Sequence, residues 1–559
     1  MNFFLNLSLF FIFCLPGVPL GIWLCGRNIR RQPEGLFYGL LLGHLISTGL
    51  VVTLGYLFSF SRLALVLYLT IALGLVLISL QRLGLSGAKL HKDPPLRLRP
   101  WTKGEGLVLL ASLVVFLALA LPPQLNMGRE TSSGHVFYGS FASDSLKNRA
   151  IIAELSKGEI PPPNPYFSGE TLHYYWLFYV APAVIYKILG EGVSLQDLLT
   201  WHTLFAGGLF LIVFFSGLRL YTRRVPLLAL GMFLILLATN YKGLYLWWTF
   251  PGDTRGFINQ VLNHQVETIF ILRTWRVSLM GLYRFLLVAP QHLFALALFL
   301  MGWTLYLKTE ADPEPEGRGK TRGLGGSRPS PSSLHPLTLG VGFIMGALFG
   351  YSSFIGLVAL LWYGGCLFRP VLMDPKALGR NLARFFTGMG ALSVPLLAFY
   401  GLEMIIPGGT VVRLDLHETF LKDPIPILFI NLGPSFILGT LGALVALWKF
   451  KSHAFPNLWL MSLCLFLFTA VMVKNSWEIT IKSGMVLVVV LAFFSVAFLD
   501  VLGDWLKRAR GVYLLLPAPG FLWLSIVLFC LPAVPTVLLD AYNYTRSTNP
   551  TNAWFISPE

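Results

Sequence analysis

Charge is what this chain has least of. Of its 559 residues only 12% are charged, while 55% are hydrophobic. A large soluble helical protein needs a polar face on each helix, and the long segments here lack one, which excludes that class. Apolar runs of roughly 16 to 25 residues recur along the whole length, most of them able to cross a hydrocarbon core of about 30 Å. The chain reads as an all-α, polytopic integral membrane protein. Cysteine is scarce as well. The five present (Cys14, Cys25, Cys366, Cys464 and Cys530) fall in or at the ends of apolar spans without CxxC spacing. A disulfide framework and a thiolate metal site are thereby set aside. An internal repeat is missing too, which argues against an inverted-repeat transporter. The first segment has no basic n-region and no small-residue cleavage site, so it reads as a retained helix.

What charge there is falls in a pattern. Lys and Arg number 42 against 26 Asp and Glu, a net charge of +16. The basic residues cluster in connectors around Arg27–Arg31, Arg82–Lys103, Arg219–Arg224, Arg318–Arg328, Arg369–Arg384, Lys449–Lys451 and Lys507–Arg510. Such clustering reports membrane orientation, not a nucleic-acid partner. Placing every cluster in the cytoplasm gives one consistent path of about 14 spans with both termini outside. The spans lie at approximately 3–25, 35–59, 62–81, 105–123, 198–218, 226–248, 286–306, 337–352, 354–368, 386–405, 425–447, 457–474, 483–500 and 518–538. The expected location is a cytoplasmic (inner) membrane.

Residues 173–190 are apolar but short and interrupted by Pro182. If they spanned, the basic cluster at Arg219–Arg224 and every later one would change sides. They are therefore predicted to be re-entrant or to lie at the membrane surface, where irregular backbone needs protein or a wet cavity around it. The Gly-, Pro- and Ser-rich stretch 310–336 is expected to be a disordered cytoplasmic linker. The organisation read from these features is a three-helix membrane extension at 1–104, then a membrane core at 105–309. The core carries an external loop at 122–172. The linker and C-terminal helices at 337–559 follow.

The external loop holds the chemistry. Asp144 follows FYGSFAS and opens a helix-like run, DSLKNRAIIAELSKGEI. A helix-capping role and a role as a carboxylate base at the membrane surface are both open for it. Pro161–Pro163 then force an extended turn that folds the chain back, bringing His173, Tyr174, Tyr175 and Trp176 toward the same surface. Those rings read equally as an interfacial aromatic belt.

An acidic residue, a helix and a Pro-rich turn into an aromatic re-entrant segment resemble the first external loop of GT-C-type membrane glycosyltransferases. Closer still is the resemblance to the YYY-domain membrane proteins of that superfamily. Their pattern here is Asp144, Pro161–Pro163, Asn164, Pro165, Tyr166, Gly169, Glu170, His173, Tyr174 and Tyr175. It departs at Trp176, where a third Tyr is typical, and at Pro165-Tyr166, where Pro-Trp is commoner. The stretches GVPLGIWLCGRNIRRQPEGLFYGLLLG, Pro290-Gln291-His292 and NSWEITIK fit the same resemblance. It implies an inverting transferase that takes a sugar from a polyprenyl-phosphate-linked donor at the external face.

That chemistry needs a base for the acceptor hydroxyl and cations for the departing lipid phosphate. Asp144 is the candidate base and Glu170 a second acid, although Glu170 also reads as a plain turn residue. His173, Tyr174, Tyr175, Gln291, His292, Lys482, Glu478 and Arg276 are candidate substrate contacts, with Arg273 and Arg284 as further cations. Snorkelling explains the surface arginines equally well. No cofactor is expected. A divalent metal at His292 with His135, His264 or Glu267 lacks supporting ligand spacing. Asp415, His417 and Glu418 lie in a second external loop that reads as solvated. The implied partners are the lipid-linked donor, membrane lipid and an unknown acceptor. Many relatives continue into an external soluble domain beyond this point, which leaves two readings open: a separate external partner protein, or a degenerate copy that has lost activity. Two rival classes stay open: a transporter or flippase, which should carry more mid-span charge than Glu403 and Lys187, and a non-catalytic scaffold of the same fold.

Overall fold

The computed structural model describes residues 2–25, 33–59, 61–85, 99–131, 134–138, 142–263, 281–311, 336–402, 412–414, 422–449, 451–473, 478–509, 519–546 and 553–556. Among them, ten helices are long and apolar enough to cross a membrane, and one bent pair makes an eleventh. The spans predicted at 226–248, 337–352 and 457–474 are shorter apolar helices, Val225–Leu236, Leu337–Gly350 and Ala454–Ala470. The polytopic all-α architecture is thus present, with several crossings made by less than full-length helix.

Exposure shows what surrounds this bundle. Along Lys103–Asn126, Leu107, Leu110, Val114 and Leu117 are all exposed. Contiguous apolar surface of this kind is an association liability in water and the ordinary state in hydrocarbon. Leu195–Leu218, Pro290–Lys308 and Glu478–Leu506 form the opposite case. They are buried over 89%, 100% and 83% of their apolar windows, which makes them the centre of the bundle. All three run the same way. Their first residues meet the external loop and their last residues meet the basic connectors, so the protein has an Asp144 face and a basic face. A 24-residue helix such as Leu195–Leu218 separates the two by about 36 Å.

Small residues let the N-terminal helices approach closely. Gly17 and Gly21 meet Gly35, Gly39 and Gly43 of Glu34–Phe58, a small-residue seam at i, i+4 spacing. A Cβ on Gly43 would stand 1.6 Å from the Cys14 carbonyl oxygen, so no side chain fits there. All five cysteines are free and buried.

Two predicted spans are broken. Val225–Leu236 ends early, and a separate short helix, Lys242–Trp248, follows. Pro424–Leu432 and Pro434–Lys449 meet at 101° around Gly433, whose φ is +57°. The breaks meet each other. Tyr241 N donates to the Ile430 carbonyl at 2.9 Å. Gly243 N donates to Thr536 Oγ1 at 2.8 Å, and that hydroxyl donates to the Asn240 carbonyl at 3.1 Å. Backbone groups freed at membrane depth must find partners inside the protein, and these do.

The Asp144 face also carries a little sheet. Arg129–Thr131, Gly134–Tyr138 and Ala553–Ile556 form three antiparallel strands, and Val412–Leu414 pairs antiparallel with Val471–Val473. The chain's end is thereby tied to the external loop. The stretch 312–335, most of the predicted linker, lies outside the described residues.

Candidate functional site

Asp144 sits in the first turn of Ala142–Lys157, where the partial positive charge of the helix end favours a carboxylate. Lys147, one turn on, donates from Nζ to Asp144 Oδ1 at 2.7 Å, both side chains being 31% exposed. Lys147 Nζ also stands 5.2 Å from the centre of the Tyr174 ring. Burial opposes its charge, but Tyr174 and Asp144 outweigh it and raise the amine above the ordinary lysine range.

The Pro-rich turn closes on itself. Asn164 N donates to the Glu170 carbonyl at 2.7 Å, and Leu172 N to the Pro162 carbonyl at 2.9 Å. Gly169 takes a φ of +83°, which suits glycine at this corner. The Glu170 and His173 side chains are exposed on this turn. Its tip presents Tyr166 and Phe167, 58% and 63% exposed, and Tyr166 couples electrostatically to Lys147 and Asp144.

Beyond the turn the aromatics build a wall. The Tyr174 and Tyr175 ring centres are 4.0 Å apart. Gln291 Nε2 donates to Tyr174 Oη at 3.1 Å. The Tyr179 hydroxyl lies 2.6 Å from Asn148 Oδ1 and 2.9 Å from Gln291 Oε1, tying the loop helix to Pro290–Ala311. Tyr175 Oη is 3.2 Å from His292 Nε2, and His292 Nδ1 is 2.8 Å from Ser352 Oγ. Both imidazole nitrogens are engaged, so the ring is oriented from two sides. Lys482, buried at the head of Glu478–Ala509, pairs with Glu478 and points at the Phe285 ring, 5.6 Å from its centre. Lys482 feels the charges of Lys147 and Asp144; His292 feels both lysines; Tyr175 feels Glu478.

The structure therefore gathers Asp144, Tyr174, Tyr175, Gln291, His292, Glu478 and Lys482 into one cluster. Glu170 and His173 stay at its rim. Arg284 is buried beside Lys242 and Asp540 instead. Arg273, Arg276, His264, Glu267, Glu403, Asp415, His417 and Glu418 lie outside the described residues, and His135 is described only as strand backbone. Among the described residues no three His, Cys, Asp or Glu side chains stand together as metal ligands.

Sequence reading passed over Lys147, Asn148, Tyr179 and Ser352. The first two stand three and four residues after Asp144, on the same face of a helix, a signal that was available. The other two act through distant partners and left none. A buried histidine pair also went unnoticed. His44 Nε2 and His202 Nε2 lie 3.2 Å apart, fully buried, with His202 stacked between Phe10 and Phe178.

In chemical terms the cluster offers two carboxylates at helix starts, each paired with an ammonium group, Asp144 with Lys147 and Glu478 with Lys482. A polar aromatic wall completes it. The N-termini of Ala142–Lys157, Pro290–Ala311 and Glu478–Ala509 all converge here, and converging helix starts favour an anion.

No family model matches the chain, and no curated protein does. Among solved structures it is similar to the apo crystal structure of the Archaeoglobus fulgidus oligosaccharyltransferase. That match has 14% identity and a TM-score of 0.43, and covers 81% of this chain. The chain spans 56% of the length of that protein. A likeness this loose fixes neither activity nor residue roles.

Proposed function

We propose that this protein is a GT-C-type membrane glycosyltransferase using a polyprenyl-phosphate-linked sugar at the external face of a cytoplasmic membrane. The observation that carries the reading is the single cluster joining Asp144, Lys147 and Lys482 at converging helix starts beside Tyr174, Tyr175 and His292. Such a donor has a tail soluble only in lipid and a charged head at the surface. Its enzyme needs a membrane bundle that carries a polar cluster at one face, which is the combination found here.

In the proposed reaction Asp144 takes the proton of the acceptor hydroxyl while its oxygen attacks the anomeric carbon. The bond from that carbon to the phosphate oxygen breaks, and polyprenyl phosphate leaves with both bonding electrons. One displacement inverts the anomeric centre. Lys147 and Lys482 hold the growing phosphate charge, which in a site shielded from water is worth far more than at a surface. Lys147 also orients the Asp144 carboxylate. His292, fixed by Tyr175 and Ser352, and Gln291, fixed by Tyr174 and Tyr179, contact the sugar.

Native mass spectrometry of detergent-purified protein with polyprenyl phosphate and polyprenyl-phospho-hexoses tests this without knowing the acceptor. Saturable binding that survives Asp144→Asn and weakens in Lys482→Ala supports the reading. Binding no tighter than that of ordinary phospholipids would overturn it.

A further inference from the structure

The basic face has a cavity of its own, about 510 Å³, at the far end of the same central helices. Arg99, Arg219, Arg223, Arg224 and Lys308 line it, and Asp500 is its one acidic wall. Two further acids lie behind these cations. Glu34 and Glu105, essentially unexposed, pair with Arg219 and Arg99. Arg224 bridges Asp500 and Asp504, which stand one helical turn apart. Burial depresses the Arg99 guanidinium, Glu105 works against that, and the neighbouring charge of Arg223 depresses it further. Three of the five cations are thus paired with acids around the open volume, and Arg223 and Lys308 add their charge to it.

An apolar groove of about 380 Å³ lies along the same helix. Val445, Trp448, Phe498, Val501, Leu502 and Trp505 form its sides, and Asp504, the partner of Arg224, stands on its wall. Trp448 and Trp505 are 76% and 57% exposed, as tryptophans at a membrane–water boundary commonly are. Basic pockets between helices on the cytoplasmic side suit the head groups of anionic lipids.

We propose that the basic face binds an anionic phospholipid, its phosphate among Arg99, Arg223, Arg224 and Lys308 and an acyl chain along the Trp448–Trp505 groove, Arg219 being engaged by Glu34, Glu105 and two backbone carbonyls. The charge of the cavity selects an anionic head, and the groove beside it selects a lipid over a soluble phosphate. The site stands about 36 Å from Asp144, by the rise of a 24-residue helix, and does not depend on the proposed transferase activity.

Native mass spectrometry of the full chain tests this with dioleoyl-phosphatidylglycerol, dioleoyl-phosphatidylcholine of the same chains, and free glycerol phosphate as probes. One phosphatidylglycerol should bind saturably. The pair Arg223→Gln/Lys308→Gln should weaken it about tenfold or more. Lys376→Gln/Arg380→Gln, an equal charge change elsewhere on that face, should leave it intact. Equal loss in both pairs would mean diffuse surface charge and overturn the site. Retention of phosphatidylcholine as strong as that of phosphatidylglycerol would also overturn it. Displacement by glycerol phosphate would reassign the cavity to a soluble anion and overturn the lipid. Matching thermal melts for both pairs confirm that folding is not what changed.

Discussion

Replacing Arg219 by Gln should be among the most destabilising single changes on the basic face. Its side chain is 4% exposed and pairs with Glu34, whose side chain is 1% exposed. It also donates to the Arg99 and Pro100 carbonyls at 2.7 and 3.1 Å. Glu105 would keep Arg99 and its bond from Thr102 N, so among the described residues only Glu34 is stranded. Removing one member of a buried ion pair costs about 3–5 kcal/mol, because the other charge stays buried without its partner. Each lost backbone bond adds about 1 kcal/mol. Unfolding in SDS-titrated mixed micelles, followed by tryptophan fluorescence, would measure the loss. The second variant decides the cause. Arg219→Gln/Glu34→Gln removes the stranded charge and should recover at least about 2 kcal/mol, since contacting residues couple by 0.5–3 kcal/mol. Exposed Arg223→Gln should stay within about 0.5 kcal/mol of the parent. A double variant no more stable than Arg219→Gln would refute the argument, as would a single variant within about 1 kcal/mol of the parent.

Three further outcomes follow from particular contacts. Gly433→Ala should lower stability by at least about 1–3 kcal/mol, because φ there is positive and a Cβ would meet Asn240 Cα at 2.9 Å; an unchanged unfolding midpoint would contradict the paired-break geometry. Tyr175→Phe should weaken hexose-lipid binding by about tenfold at most while leaving polyprenyl phosphate binding alone, since it frees His292 Nε2 without removing a charge; equal loss of both ligands in the same titration would place Tyr175 at the phosphate. His202→Phe should cost less than about 1.5 kcal/mol, as Nδ1 has no hydrogen-bond partner and the ring is held by stacking; a loss of 3 kcal/mol or more in the same unfolding assay would show that its contact with His44 matters more than packing.

The bundle was legible because the membrane imposes a coarse rule. A run of about twenty apolar residues is visible without knowing its neighbours. The two breaks were not read, because Gly433 gives no polar signal and Thr239–Lys242 is only a brief polar interruption of an apolar run; their mutual contact shows why a helix can stop there. Likewise the strands at Gly134–Tyr138 and Ala553–Ile556 are short, and their pairing joins residues over 400 positions apart. In the cluster, Asp144 and the tyrosines were readable from local pattern. Ser352 and Tyr179 were not, since they matter only through His292, Gln291 and Asn148, each far away in sequence. The basic connectors were read correctly as charge clusters. That four of their residues, with Lys308, line one cavity needed the fold.

The distribution of irregular backbone supports the same choice of face for catalysis. Val225–Leu236 starts beside Arg224 at the basic face and stops after twelve residues, about 18 Å along, so its break lies toward the Asp144 face. The Pro424–Leu432 segment starts from the Asp144 side and turns through 101° after nine residues. Leu282–Val288 gives way to Pro290 at Ala289, two residues before Gln291 and three before His292. Leu177–Leu189, between Tyr175 and Gly190, is about 20 Å long and too short to cross; Lys187 near its end donates back to the Ser156 carbonyl of the loop helix at 2.8 Å. All four interruptions fall in the half of the bundle nearest Asp144. In the other half the three central helices run unbroken to the basic cavity. Broken backbone at membrane depth costs several kcal/mol per unsatisfied group unless protein or a polar cavity meets it. A scaffold or a lipid-anchored spacer has no use for that cost. An enzyme that must bring a polar sugar head and a water-soluble acceptor to a membrane-embedded donor does, and would bear it on the side where the reaction occurs.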